Sequence, residues 1–502
     1  MATQPTNLPV PSESPFDFKF NAGKIDEFVT SMGWTYTDRF GQKHYTIEGI
    51  NYLAQQAMNA FGYVILTGKT FTTGATINNP NEVLLNTADG EYYKWTGSFA
   101  SGPKVVPANS TPASTGGIAP GAWIGVGDAS LRAALAAVSG AGLVGVSVGS
   151  VYPAGTVGSA IQYRTPQMYG IEPSTTNIIG SGLDAMFAAG GDIRFEKPGT
   201  YITDRTWVLR SGTRLWIGPG VTIKLANSSN VPVFKNYAYA NSATNDSFIE
   251  IWGPGTIDYN GANQTVVGLG SMASILKGIG SLRIGGGIKV INANKYAWLI
   301  CNITYLTADG LNFDTISDGL HCQPPIRHAY IRNLKGKTGD DMLAFTIGDY
   351  ANYNISEPGD FSNIDVAGLF CESSLCAVKM TGDGTGNFVR FRVSGIYGDT
   401  LHSVFRIWGD TNLTKTMVKN ITIEDIYAIP GAAYSTVEID DRGFGASGYS
   451  IEIDEIHIKN VYSTNLTLET VRFAGSFGSV IHNAILDGLP RSAIIAFGVN
   501  NT

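Results

Sequence analysis

The stretch FVRFRVSGIYG at 388–398, with VKNITIEDIYAI at 418–429 and YSIEIDEIHIKNVYS at 449–463, decides the fold. In each, apolar residues alternate with polar ones, which puts Val, Ile and Phe on one face of a short strand. Similar blocks flank them: FSNIDVAGLF (361–370), IRHAYIRNLKG (326–336), ICNITYLTADGL (300–311) and VIHNAILDGL (480–489). Aligning the last apolar residue of each at Leu306, Leu334, Leu369, Ile396, Ile426, Val461 and Leu486 gives steps of 28, 35, 27, 30, 35 and 25. Repetition in that range means one supersecondary unit per block, stacked on its neighbours. No block holds a helical pattern, which argues against βαβ and leucine-rich repeats. The chain is therefore expected to be mainly β, a parallel β-helix over 167–488 whose interior is filled by Ile, Val, Leu and Phe. A β-sandwich, or a propeller with blades of ~40 residues, is the competing architecture, and the shorter uneven steps disfavour it.

Composition agrees. Of 502 residues, 61 are glycine and 15% are charged, against averages of ~7% and ~25%. The net charge of −7 comes without a basic block, so a nucleic-acid partner has no electrostatic footprint. No run of ~18 apolar residues exists, which excludes membrane insertion by a helix. The opening MATQPTNLPVPSESPF lacks the basic and apolar regions of a secretory leader. Cys301, Cys322, Cys371 and Cys376 lack the paired spacing of a zinc site. They are expected as buried thiols, with a disulfide as the lesser alternative, and neither a metal nor a cofactor is expected.

Upstream, residues 1–15 carry four prolines and read as a flexible arm. Residues 16–127 form a small mixed domain, in which Thr46 caps a helix with Ile47, Ile50, Leu53, Ala57 and Phe61 on one face. Residues 128–166 read as a neck: a short helix from Asp128 with Leu131, Leu135 and Val138 in a seam, then a Gly/Ser/Val-rich linker. Residues 489–502 form a short tail.

Chemistry concentrates in SDGLHCQPPIRHAYIRNLKGKTGDDMLAFTIGDY, 317–350. Asp318 precedes the pair Asp340–Asp341 by 22 and 23 residues, near one coil, which would stack the three carboxylates on one face. Such a cluster is costly, because like charges raise one another's pKa, and it persists where acid–base chemistry or a cation uses it. Adjacent strand residues point to opposite faces, so the backbone must bend at this pair, and Gly339 permits that. Turn capping is the plainer reading of the same aspartates. His321 and His402 stand near these turns, Tyr350 and Trp408 are candidate sugar-stacking rings, and Glu372 is the next carboxylate, with Glu438, Asp440 and Asp441 behind it.

WGPGTID at 252–258, SDG at 317–319, GDD at 339–341 and FRIWG at 405–409 resemble, in that order, the motifs of polygalacturonases, glycoside hydrolase family 28. The resemblance covers roughly 170–430. It implies a right-handed single-stranded β-helix, with Asp340 as general acid and Asp318 and Asp341 positioning and deprotonating water. Arg406 would hold an anionic or hydroxyl-rich ring; beside what the resemblance implies, His321, Trp408, Tyr350, Lys379 and Glu372 are the further substrate-binding candidates. The chain departs from the family at Ile316-Ser317, where Asn-Thr would stand. It departs again near Glu372-Ser373-Ser374, which lacks the family histidine, and at Trp408, which replaces a lysine. A second resemblance covers about 16–135. DFKFNAGKIDEFVTSMGWTYTDRFGQKHYTIEGI, DGEYYKW and GGIAPGAWIGVGDASLR look like the virion-anchoring domain of tailed-phage tailspikes. It implies a homotrimer, made in the host cytoplasm and carried on the phage tail. Its N-terminal domain would meet the tail, the baseplate or another tailspike. Together the two imply a depolymerase that cleaves a bacterial surface polysaccharide by inverting hydrolysis. A polysaccharide lyase on the same scaffold, and an adhesive tail protein that binds without cutting, are the alternatives.

Overall fold

Alternating strands become coils only if the chain turns sharply at a fixed place in every block, and in five of the seven blocks the residue just before the aligned apolar position does this. Asn333, Gly368, Gly395, Asp425 and Asn460 all adopt left-handed backbone, with φ of 55, 72, 66, 57 and 54°. Glycine, asparagine and aspartate are the residues that accept this conformation at least cost. The computed structural model describes residues 4–59, 62–127, 161–409, 415–440, 451–462, 468–475, 479–490, 494–496 and 500–501. It divides into two units, residues 1–145 and 146–502.

The larger unit is a parallel β-helix. Asp192–Phe195 pairs in parallel with Thr213–Ile217, which pairs with Asp246–Trp252. Gly199–Thr203 pairs with Val221–Leu225 and that strand with Thr256–Asp258. Trp207–Leu209 pairs with Phe234–Asn236. Each coil thus adds one rung to three parallel sheets. Further on, neighbouring strands fuse: Leu320–Thr338 spans 19 residues. Its residues 320–322 pair in the third sheet, 326–332 in the first and 335–338 in the second.

One stack shows how the interior is built. Ile193, Leu215, Ile251, Ile284, Ala308, Ile331, Val366, Val393, Ile423 and Ile458 lie one above another through successive pairings. None is more than 1% exposed, and each large aliphatic among them is worth about 1.5–3 kcal/mol of burial. Outside, Arg332, Asp365, Arg392, Glu424 and Lys459 alternate in sign up the first sheet and pair across coils.

The sequence alignment holds in the middle and slips at both ends. Leu334, Leu369, Ile396, Ile426 and Val461 pair in succession, whereas Leu306 pairs with Ala329 and Leu486 with Ile458. In the end blocks the counterparts of these corner residues are Gly310 and Gly488, each followed by a leucine, so the corner rather than the last apolar residue marks the repeat.

In the smaller unit, Thr46 Oγ1 accepts the Gly49 amide at 3.0 Å, capping helix Ile47–Asn59 as expected; Phe61 lies outside the described residues. Helix Pro15–Thr30 was not foreseen. Its buried Asp17 meets Arg39 at 3.2 Å and accepts from Thr6 and Ser12 at 2.6 Å each. Arg39 Nη1 also donates to Leu8 O at 2.7 Å. The segment read as a flexible arm is therefore tied down at three points. Val64–Thr70, Glu82–Leu85, Tyr92–Trp95 and Trp123–Gly125 form a sheet in that order, over a core of Phe71, Ile77, Leu84, Tyr93, Val106 and Trp123. The neck helix from Asp128 lies outside the described residues. All four cysteines are free and buried. No helix among the described residues is long and apolar enough to cross a membrane.

A Cβ at Gly395 would meet nothing closer than 3.4 Å, so its substitution tests the corner conformation alone. Gly395→Ala should cost about 1–2 kcal/mol and Gly395→Asn clearly less. Thermal unfolding followed by circular dichroism should rank the melting temperatures in that order, and equal values would refute the corner rule.

Candidate functional site

The turn between the second and third sheets carries Asp318 in one coil and Asp340–Asp341 in the next. Leu320 pairs with Leu343, so this coil is 23 residues long and Asp341, not Asp340, lies over Asp318. The Gly319 amide donates to Asp341 O at 3.0 Å and fixes that stacking. The backbone bends at 339–340, which lets both neighbouring side chains face one pocket. Gly339 is needed there for a different reason from the one expected. Its φ is not left-handed; instead, a Cβ would run into the Ile316 carbonyl of the coil before.

The three carboxylates each offer an oxygen within 4.8 Å of the others, in a pocket of about 430 Å³. Lys295, Tyr296, His321, Asp349, Tyr350, Lys379, His402, Arg406 and Trp408 line the rest. Each carboxylate has its own cation. His321 Nδ1 donates to Asp318 Oδ2 at 2.6 Å, Lys379 Nζ lies 3.3 Å from Asp341 Oδ2, and Lys295 Nζ lies 4.0 Å from Asp340 Oδ2. Two of these cations arise from the register: His321, Ala344, Lys379, Arg406 and Glu438 form one outward row up the third sheet. The small Ala344 leaves room between His321 and Lys379.

These surroundings separate the proton affinities. Burial, then the charges of Asp318 and Asp341, push Asp340 up to about 7. Burial works against ionisation of Asp318 as well, but the His321 hydrogen bond and the nearby cations outweigh it and hold that carboxyl below its ordinary value. Burial raises Asp341 against the pull of Lys379. Burial also disfavours charge on His321, yet Asp349 and Asp318 lift it to about 9. Lys379 is raised despite burial by the three aspartates. His402 is pushed down to about 4 by burial, then by Arg406 and Lys379. Two carboxyl groups with opposite shifts in one pocket supply an acid and a base.

Of the residues foreseen, the structure gathers Asp318, Asp340, Asp341, His321, Tyr350, Lys379, Arg406 and Trp408 around this pocket. Glu372 is not among them; it is exposed on strand Phe361–Ser374, outside the lining. Arg406 lies over Trp408, its guanidinium carbon 3.9 Å from the ring centroid, and its Nη1 meets His402 Nε2 at 3.1 Å. Glu438 Oε2 lies 3.9 Å from Arg406 Nε, and Asp441 lies outside the described residues. Sequence reasoning missed Lys295, Tyr296 and Asp349. The first two stand 23 and 22 residues before Asp318, so stepping one coil upstream would have found them. Asp349 arrives from a loop and leaves no periodic signal.

Residues 56–128 match the model of the tail spike TSP1/Gp66 receptor binding N-terminal domain, within the region that resembles a virion anchor. A capsule KL64-specific depolymerase of Klebsiella phage P510 is 32% identical over 184 residues, which cover 36% of this chain. That match spans only 17% of the relative's length. Among solved structures, the hyperthermoactive exopolygalacturonase of Thermotoga maritima is 13% identical, with a TM-score of 0.48 over 67% of this chain and 90% of that one. Bacteriophage CBA120 tailspike protein 3 is 16% identical, with a TM-score of 0.37 over 97% and 92%.

Two stability measurements follow from the charge pairing. Lys379→Met leaves Asp341 buried without its cation, which should cost about 3–5 kcal/mol; adding Asp341→Asn should recover much of the loss in melting temperature. Folded Asp340 keeps its proton to about pH 7, against 3.8 for an ordinary aspartate. The folded state therefore binds more protons between those values, and this group's contribution to stability falls as pH rises from about 4 to 7. Asp340→Asn should flatten that part of the profile.

Proposed function

We propose that this chain is a tailspike depolymerase that hydrolyses a glycosidic bond of a bacterial surface polysaccharide, acting as a homotrimer on a phage tail. One observation carries the chemistry: an aspartate that keeps its proton to about pH 7 stands beside one held ionised. The tail assignment rests on the match of residues 56–128, and the substrate class on the partial likeness to a capsule depolymerase.

Asp340, whose side chain is 33% exposed, donates its proton to the leaving glycosidic oxygen. Oxygens of Asp318 and Asp341 within 4.8 Å can both hold one water at hydrogen-bonding distance, about 2.8 Å from each. As that water attacks the anomeric carbon, its proton passes to Asp318. Inverting pairs commonly stand about 6.5–9.5 Å apart to admit water between them, and retaining pairs about 5–5.5 Å. The shorter spacing here does not favour retention, because a nucleophile must touch the sugar. Asp318 and Asp341 are only 3% and 2% exposed and each is already paired with a cation. Water held by both, attacking with inversion, fits that burial.

The same pairing disfavours the alternatives. A calcium ion at the trio would face Lys295, His321 and Lys379 at close range, and the demand for positive charge is already met. A lyase needs an unprotonated base, and one candidate, Lys379, is held firmly as an ammonium.

Asp340→Asn should lower turnover by about 10²–10⁴-fold, the usual contribution of a general acid, while glycan binding persists. Wild-type turnover should fall as pH rises through about 7, where Asp340 loses its proton. Chelator should leave the rate unchanged, and the fragments should lack the ultraviolet absorbance of unsaturated ends. The assay is digestion of a panel of capsular and O-antigen polysaccharides, with fragments analysed by mass. Near-wild-type cleavage by Asp340→Asn would overturn the assignment.

A further inference from the structure

His321 faces a carboxylate at each ring nitrogen. On the side away from Asp318, its Nε2 lies 3.2 Å from Asp349 Oδ2. Asp349 comes from the loop after strand Leu343–Thr346 and is firmly placed. Its Oδ2 accepts from Tyr296 Oη at 2.8 Å and from Gln323 Nε2 at 2.8 Å, and its Oδ1 from the Tyr350 amide at 2.7 Å. Gln323 also ties down the loop, donating to Tyr353 O at 3.0 Å and accepting the Ile355 amide at 2.6 Å. Tyr296 covers the imidazole, with ring centroids 3.6 Å apart and planes within 6°. His321 is 3% exposed, so water cannot replace either partner.

A neutral imidazole has one N–H and one lone pair. Between two carboxylates the lone pair would face negative charge; the Nε2–Asp349 contact is an ion-pair approach rather than an aligned hydrogen bond, and it favours a proton on both nitrogens. We propose that Asp349 is a positioning residue that locks His321 as an imidazolium and thereby keeps Asp318 ionised and aimed at the attacking water. This rests on the role given to Asp318 above. The charged and titratable groups around His321 are Asp318 in the turn, Asp349 in the loop and Tyr296 in the coil before. Lys295, Asp340 and Lys379 line the same pocket. None of these supplies a second anion at Nε2 if Asp349 is removed.

The test compares the full chain with Asp349→Asn and Asp349→Glu, using histidine labelled with ¹³C at Cε1 and assigned with His321→Gln. In the wild type the His321 resonance should stay in its charged position through pH 8. In Asp349→Asn it should titrate at or below the ordinary histidine value of about 6.5, and Asp349→Glu should restore the charged state. Turnover of Asp349→Asn should fall at least about tenfold at pH 7.5 with KM unchanged, and the deficit should narrow at pH 5.5 as His321 regains its proton. A charged His321 in Asp349→Asn, with an equal loss at both pH values, would overturn the proposal and leave Asp349 a merely structural support. The resonance needs no turnover, so it separates this proposal from the hydrolase reading, which Asp340→Asn tests by itself.

Discussion

Three carboxylates share a space in which their oxygens lie within 4.8 Å of one another, and they tolerate it because three cations stand against them one to one. Removing an isolated ionised carboxylate from water costs many kcal/mol unless it is paired or takes a proton. The cluster uses both solutions. Asp318 and Asp341 stay near His321 and Lys379, whereas Lys295 is 4.0 Å from Asp340, too far to outweigh burial and two neighbouring anions. Asp340 therefore takes the proton. The assignment of acid and base follows from unequal distances to cations rather than from any difference in the side chains themselves.

The coil provides this arrangement cheaply. Once one residue per turn adopts left-handed backbone, the register is fixed, and a residue one coil away lies about 4.8 Å above its partner. A column of aspartates at the turn and a row of His, Lys and Arg on the adjoining strand then meet as neighbours. The pocket is deep because the row includes Ala344 between His321 and Lys379. A longer side chain at 344 would fill the space from which Asp340 reaches its substrate.

The architecture and most of the site could be read from the chain, because both depend on periodicity. Alternation gave the strands, and five of seven aligned apolar residues pair as the alignment has them. The two that slipped, Leu306 and Leu486, did so because the alignment followed hydrophobicity and ignored the Gly310 and Gly488 corners. Likewise, the 22-residue step from Asp318 to Asp340 brought the three aspartates together with the wrong partner on top, since the coil measures 23. Helix Pro15–Thr30 escaped notice because its anchor is a polar one, the Asp17–Arg39 pair, and leaves no hydrophobic pattern. Asp349 was invisible for a similar reason: its place is set by Gln323 and Tyr296, contacts between a loop and two other coils.

Trp408 makes sense in terms of the charge around it. Glu438 and Asp440 stand over Arg406 and Trp408 in the next strand, and Lys379 precedes Arg406 in the same row. A lysine at 408 would add a further positive charge beside Arg406 and Lys379, whose charged groups instead lie 3.9 and 5.3 Å from the Trp408 ring centroid. An indole face accommodates both cations at no cost in like-charge repulsion. It also offers an apolar face on which a sugar ring can stack. Lys379 opposes the burial that raises Asp341, and the indole at 408 adds no further cation that would draw the proton off Asp340.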